Sequence, residues 1–401
     1  MGAADCPAGI IAEFNPFHRG HEYLIREAKR AGASPLAVVM SGDFVQRGAP
    51  ALLSKWDRTE MALRCGADAV FELPLPWARA GAERFALGGV FLLSQLGCRR
   101  ICFGSENGSA AALGQAARLL LSPAFSEQVR QELSRGVAFA SAREDAVRKI
   151  AGEDMAALLQ SPNNILGVEY LKAALTLGVS LEPFTAARRG AQHHDAEASS
   201  GYASATALRG MIRRGEDWTP FVPEPAAAVL RRALADGSCP AELFRMERAV
   251  LARLRTMSLP ELAALPDVSE GLENRLFSAV RKACSLDELF SLLKTKRYPL
   301  ARLRRIVFSA FVGLTAADAQ GFPPYLRLLG LKESGVFFLR EAKRTGNIPV
   351  VSHSSELLHL DKKGRNMIEL EGKGSDLHAL FLPRPTPCGR NLTNGVIRLG
   401  S

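Results

Sequence analysis

Paired cysteines are missing from this 401-residue chain. Its seven cysteines (6, 65, 98, 102, 239, 284 and 388) are odd in number, scattered, and form no CxxC pair. That argues against a disulfide framework and against a zinc finger or ribbon, and no metal-ligand set is expected. Long apolar runs are missing as well, since none reaches transmembrane length. The opening Met-Gly-Ala-Ala-Asp-Cys-Pro has neither the basic region nor the apolar core of a signal peptide. A cytoplasmic location with no membrane partner is therefore expected. Internal repeats and low-complexity segments are also absent. Acid is scarce in one half only. Residues 1–220 hold 24 Lys+Arg against 23 Asp+Glu, whereas residues 221–401 hold 27 against 18. A neutral front and a basic back suggest a catalytic unit joined to one that binds a polyanion; a solvated, Arg-rich helical unit would look the same.

What is present begins with alternation. Apolar runs at residues 10–14, 36–40, 69–73, 100–103 and 181–187 read as strands. Helical spacing fills residues 21–31, 55–65 and 79–96, with Gly or Pro punctuating the joins. Strand–helix alternation predicts an α/β fold with a parallel sheet and right-handed crossovers, its ligand beyond the carboxyl ends of the strands. Pro220, Pro223 and Pro225 mark a boundary between a domain at 1–220 and a mostly helical one at 221–401. The helical pattern runs to about residue 345, and 347–401 reads as a Pro/Gly/Ser-rich tail.

The most informative stretch is Gly9 to His21, where His18-x-Gly20-His21 stands between the first strand and the first helix. Backbone N–H groups and the helix dipole favour a phosphate at such a junction, and glycine permits close approach. Two imidazoles there can hydrogen-bond an α-phosphate as charge develops on it. Glu13 either orients one of these histidines or is a satisfied core carboxylate. Asn15 either pins its loop or touches phosphate. Lys55 and Arg58 either reach the phosphates or RNA, or form a solvated helix face. Gly104 leaves room for an adenosine. Asn163 and Asn164 cap a helix or read a base edge. Ser204 is a plausible N-cap, and with Thr206 and Arg209 it is a possible phosphate contact.

These motifs together resemble the bacterial tRNA(Met) cytidine acetate ligase family, of the HIGH-motif nucleotidyltransferase superfamily, over essentially the whole chain. The resemblance rests on Glu13-Phe-Asn-Pro-Phe-His-Arg-Gly-His21, Met40-Ser-Gly-Asp-Phe-Val-Gln-Arg-Gly48 and Ser54-Lys-Trp-Asp-Arg58. It continues through Phe71-Glu-Leu-Pro74, Phe103-Gly-Ser-Glu106, Pro162-Asn-Asn-Ile-Leu-Gly167, Ser204-Ala-Thr-Ala-Leu-Arg209 and Lys296-Arg-Tyr298. One departure is His193, which stands where the family has an aromatic ahead of a His-Asp pair. The resemblance implies a Rossmann-like HIGH-type nucleotidyltransferase domain followed by a mostly helical tRNA-binding domain. It also implies an enzyme that activates acetate with ATP, magnesium accompanying the nucleotide, and passes the acetyl group to N4 of the wobble cytidine of elongator tRNA(Met). Family ATP contacts fall on Ile11, Ala12, Glu13, Phe14, Asn15, Pro16, Phe17, His18, Arg19, Gly20, His21, Glu22, Tyr23 and Leu24, then on Gly104, Asn163 and Arg188. His18 and His21 are the expected catalytic pair.

Between Lys294 and Arg305 the chain has six basic residues in twelve and no acid. Lys294, Lys296, Arg297, Tyr298, Arg302 and Arg305 are the candidate RNA grip, with Tyr298 able to stack on a base. Two other functions share these signals: a small-molecule adenylyltransferase of cofactor synthesis, and a non-catalytic RNA-binding protein that senses ATP.

Overall fold

A computed structural model describes residues 6–136, 139–187, 201–269, 271–295 and 298–400. Strands β1 (Cys6–Ala12), β2 (Ala33–Ser41), a short hairpin of β3 (Phe44–Val45) and β4 (Ala49–Pro50), β5 (Ala69–Leu73), β6 (Arg100–Ser105) and β7 (Glu182–Ala187) follow one another with helices between them. Strands β5, β2, β1, β6 and β7 lie side by side in that order, all parallel. The chain builds outward from β1 in one direction, then restarts at β6 on its other side. That reversal opens a crevice at the carboxyl ends of β1 and β6.

Both faces of this sheet are covered, so its strands are nearly continuous in apolar residues. Ala37, Val39, Phe71 and Phe103 join one buried cluster, while Val38, Met40, Val70 and Cys102 join the other. The period-2 alternation of a strand sends neighbours to opposite faces. No described helix is long and apolar enough to cross a membrane.

The sheet does not stop at residue 220. β8 (Leu326–Leu331) pairs antiparallel with β5, and β9 (Val350–Val351) and β10 (Ile397–Arg398) add to β8. Helices Glu247–Thr256, Leu272–Lys282, Leu286–Leu293 and Leu300–Val312 fill the region between. Helix Lys362–Ala379 lies in the segment expected as a tail. Gly364, Gly372 and Gly374 lower its intrinsic propensity, and its buried side holds Glu371 and His378 among Met367, Ile368 and Leu370. Tertiary contact, not local preference, makes it a helix.

Buried charge fastens this late segment to the sheet. The Lys55 ammonium is fully buried and donates to both carboxylate oxygens of Glu72, at 2.7 and 2.9 Å, and to Asn391 Oδ1 at 2.6 Å. Asp43 accepts from Lys55 N at 2.7 Å and from Ser375 Oγ at 2.6 Å. Burial pushes the Asp43 carboxyl up, but His378, Lys55, Arg58 and the Ser375 hydroxyl outweigh it and hold the group at about 2. Asp43 therefore contributes stability that is fully present above its ordinary 3.8 and is lost as the pH falls toward 2. Glu371 accepts from Leu75 N at 2.5 Å, and burial and the neighbouring Glu72 charge push its carboxyl far up. One lysine thus neutralises one of two buried carboxylates, and the other keeps its proton.

Arg58 is equally hidden. It donates to the carbonyls of Leu53, Glu13, Ser41 and Gly42, which locks the ends of β1 and β2 together. Neither Lys55 nor Arg58 reaches a phosphate or presents a solvated face. A full set of internal partners has consumed both charges.

Removing one partner of a buried pair strands the other. Lys55→Ala is expected to cost about 3–5 kcal/mol, read from the urea unfolding midpoint. The double replacement Lys55→Met with Glu72→Leu should recover most of that loss.

Candidate active site

A cavity of about 680 Å³ occupies the crevice. Five helices begin at its wall: Arg19–Arg30, Ala82–Gln95, Pro162–Leu177, Ala205–Arg214 and Leu300–Val312, which contribute Gly20, Ala82, Pro162, Ala205 and Leu300 to the lining. Each brings the positive end of its dipole. Arg47, Arg209, Arg304 and Arg305 also line it, and Glu13 is the only carboxylate to do so among the described residues. The cavity is built for an anion.

His18 and His21 form its most ordered element. His18 is the N-cap of helix Arg19–Arg30, and its Nδ1 accepts from Gly20 N at 3.1 Å. The His21 Nδ1 reaches back to accept from His18 N at 3.3 Å. This is a capping box made of two imidazoles instead of the usual hydroxyl and carboxylate. The rings stack with centroids 3.6 Å apart and planes within 19°. An Nδ1 that accepts leaves the ring hydrogen on Nε2, so each histidine carries its N–H donor on the atom the cap does not use. Phe14 and Phe17 pack against His21 at 4.8 and 5.5 Å. Phe14 has a φ of 47°, a left-handed turn that ends β1 and swings the aromatic beneath the imidazoles.

Gly20 serves this arrangement directly. A Cβ there would stand 2.9 Å from Cε1 and 3.0 Å from Nδ1 of His18. The glycine makes room for the ring more than for a phosphate.

The surrounding residues divide into those that face the cavity and those that support it. Asn15 is a loop pin: its Oδ1 accepts from Leu52 N at 2.7 Å, and its carbonyl accepts from Arg209 Nη1 at 2.7 Å. Thr206 Oγ1 accepts from both Arg209 at 3.0 Å and Arg47 at 2.8 Å. Burial and then the Arg47 charge lower Arg209 to about 10, which leaves it cationic at neutral pH. Ser204 caps helix Ala205–Arg214 through Ala207 N at 3.1 Å. Arg47 was not singled out in the sequence. Its signal was its place beside Gly48, whose φ is +69° and whose Cβ would stand 2.5 Å from Arg305 N. That backbone approach brings Arg304 and Arg305 to the cavity.

Glu13 is half-buried instead of a core carboxylate, and its Oε1 accepts from Gln46 N at 2.8 Å. Asn163 faces the cavity, yet neither it nor Asn164 caps its helix. Glu106 does so, accepting from Asn164 N at 2.9 Å and from Asn163 Nδ2 at 2.6 Å. Ile11, Ala12, Phe14, Tyr23, Leu24 and Gly104 also line the cavity. Pro16, Phe17, Arg19 and Glu22 do not: Pro16 and Phe17 are buried beneath it, and Arg19 points to solvent. Lys55 is likewise outside it.

Of the expected RNA grip, Arg305 lines the cavity and pairs with Asp267 at 2.7 Å. Arg302 donates to the Asp267 carbonyl and to Ser269. Lys294 is exposed. Tyr298 is buried, with Arg302 over its ring at 5.3 Å, so it offers no open face to a base. Arg188, His193, Lys296 and Arg297 lie outside the described residues.

Paired imidazole donors at a switch point, ringed by helix N-termini and arginines, define a nucleotidyltransferase-type phosphate site. A profile described as HIGH Nucleotidyl Transferase matches residues 7–391. The tRNA(Met) cytidine acetate ligase of Syntrophotalea carbinolica is 38% identical over 397 residues, covering 94% of each chain. That of Bacillus subtilis is 36% identical, over 94% of this chain and 92% of its own. The crystal structure of apo Thermotoga maritima TmcAL superposes with a TM-score of 0.93 at 30% identity, covering 99% of this chain and 100% of the other. A second structure of that protein, bound with alpha-thio ATP, gives 0.91. The chain belongs to the tRNA(Met) cytidine acetate ligase family, within the HIGH nucleotidyltransferases.

Gly20→Ala should displace the His18 ring, at an overpacking cost of about 1–3 kcal/mol. Calorimetric titration is expected to show ATP affinity falling by about tenfold or more, with the melting temperature lowered by a few degrees at most. Unchanged affinity would mean that the ring does not bear on the nucleotide.

Proposed function

We propose that this chain is an ATP-dependent ligase that activates acetate as acetyl-adenylate and transfers the acetyl group to N4 of the wobble cytidine of elongator tRNA(Met). The observation that carries this reading is the histidine capping box, whose Nε2–H donors belong to residues lining a cationic cavity at the end of β1. The names of the full-length relatives support the tRNA and the acetyl group, and the alpha-thio ATP bound to one of them supports the nucleotide.

In the first step, an acetate oxygen attacks the α-phosphorus of ATP and pyrophosphate leaves. A carboxylate is already a nucleophile, so the site needs fixed positive groups around the phosphorus and no base. His18 and His21 provide Nε2–H donors to the α-phosphate oxygens. The helix N-termini, with Arg47 and Arg209, hold the departing pyrophosphate. Arg188 and Asn163 are assigned to the nucleoside end. Magnesium fits here as part of the incoming triphosphate complex. Among the described residues no three His, Cys, Asp or Glu side chains gather to hold a resident ion.

In the second step the tRNA must deliver one unstacked base to the cavity mouth. Arg304 and Arg305 line that cavity. Lys294 and Arg302 add basic side chains from the same segment, and the sequence assigns Lys296 and Arg297 to the same RNA grip.

Replacing both His18 and His21 with Ala should abolish acetate-dependent exchange of pyrophosphate into ATP. Exchange that survives would remove the histidines from the reaction. The ligase reading also predicts that labelled acetate, ATP and total tRNA give labelled N4-acetylcytidine; product formed from small metabolites without tRNA would favour the adenylyltransferase reading. Arg304→Gln with Arg305→Gln is expected to weaken tRNA binding and to lower its salt slope by about 1 per lost phosphate contact.

A further inference from the structure

The acyl-transfer half of the reaction needs something the adenylation half does not. An exocyclic amine that becomes an amide must lose a proton. Neither histidine can take it while the cap is intact, because each Nδ1 is occupied by a backbone N–H and each Nε2 already carries its hydrogen. The arginines in the lining are donors only. Glu13 remains as the sole acidic side chain on the wall among the described residues.

Its setting suits an acceptor. Glu13 follows the last residue of β1 and directly precedes the left-handed Phe14 that leads into the histidine loop. Its carbonyl is held by Arg58 at 2.8 Å, and its Oε1 is held by Gln46 N at 2.8 Å. The carboxylate is thus fixed through one oxygen. No described residue is recorded as donating to Oε2, and Glu13 lines the cavity. Tyr170, on the lining of the same cavity, lies within electrostatic reach of the Glu13 carboxylate; burial and then that charge keep its phenol protonated. Tyr170 therefore does not compete as a base.

We propose that Glu13 is the general base of acyl transfer, accepting on Oε2 one proton from the cytidine N4 amine. The N4–C bond to the acetyl carbonyl forms, and the C–O bond to the phosphate oxygen of the adenylate breaks. One N4 proton moves to Glu13, and AMP leaves as the anion. No other reactant is required. This assignment rests on the ligase reading above.

The test separates the two half-reactions. Acetate-dependent pyrophosphate exchange reports adenylation, and single-turnover transfer from preformed acetyl-AMP to tRNA(Met) reports acyl transfer. Glu13→Gln keeps the Gln46 contact, and transfer should fall on the order of a hundredfold to ten-thousandfold further than exchange does. Glu13→Asp should fall between. The wild-type transfer rate should decline on the acidic side of its pH profile, and Glu13→Gln should lack that limb. Unchanged transfer in Glu13→Gln overturns the assignment, as does an equal fall in both half-reactions, which would mark a structural role. A wild-type transfer rate that is flat through the acidic range also overturns it, with no variant needed, and passes the proton to the adenylate phosphate instead. Absence of acetate-dependent exchange in the wild type would fall on the ligase reading, not on Glu13.

Discussion

Everything at the site follows from where two backbone N–H groups find their acceptors. The first turn of a helix leaves donors unsatisfied, and here His18 and His21 supply the oxygen-like lone pairs that a serine and a glutamate supply elsewhere. The cap sets the tautomer, the tautomer fixes which ring nitrogen can donate, and the stacked rings hold both donors in register. The geometry of both ring donors is thereby tied to helix initiation. The rings cannot drift without unwinding the start of helix Arg19–Arg30. Gly20 and the bent backbone of Phe14 are consequences of the same demand, one vacating space for a ring and the other bringing an aromatic bed beneath it.

Around that fixed point the protein has spent most of its buried charge on architecture. Lys55, Arg58, Asp43, Glu72 and Glu371 are all hidden, and all bind one another or backbone N–H and C=O groups. They join loops at the ends of β1, β2 and β5 to helix Lys362–Ala379. The exposed cations near the cavity are a different set, contributed by the hairpin beside Gly48 and by helix Leu300–Val312. The charges that hold the fold together and those that line the cavity are thus separate sets.

The sequence made the sheet legible because strands covered on both faces are nearly continuous apolar runs bounded by Gly and Pro. The paired histidines were legible as a strand–helix junction, and the structure places both on the cavity wall. Charges were harder to read. Lys55 and Arg58 look like any helix-start cations until the fold wraps carbonyls and carboxylates around them. Glu106 capping the helix at Pro162 depends on β6 ending opposite that helix, a pairing 58 residues apart. Tyr298 sits in a basic run that suggests an open RNA face, and only packing shows that it is covered. β8 was hidden by the helical run around it, and helix Lys362–Ala379 by its glycines.

The return of the chain to the sheet has a consequence for biosynthesis. β5 is complete by residue 73, but its outer edge stays bare until residues 326–331 arrive to cover it. Lys55 likewise waits for Asn391. A nascent chain thus carries an open strand edge from the completion of β5 until residues 326–331 emerge. Proofreading by chaperones and proteases can tell a truncated copy from a finished one by that edge alone.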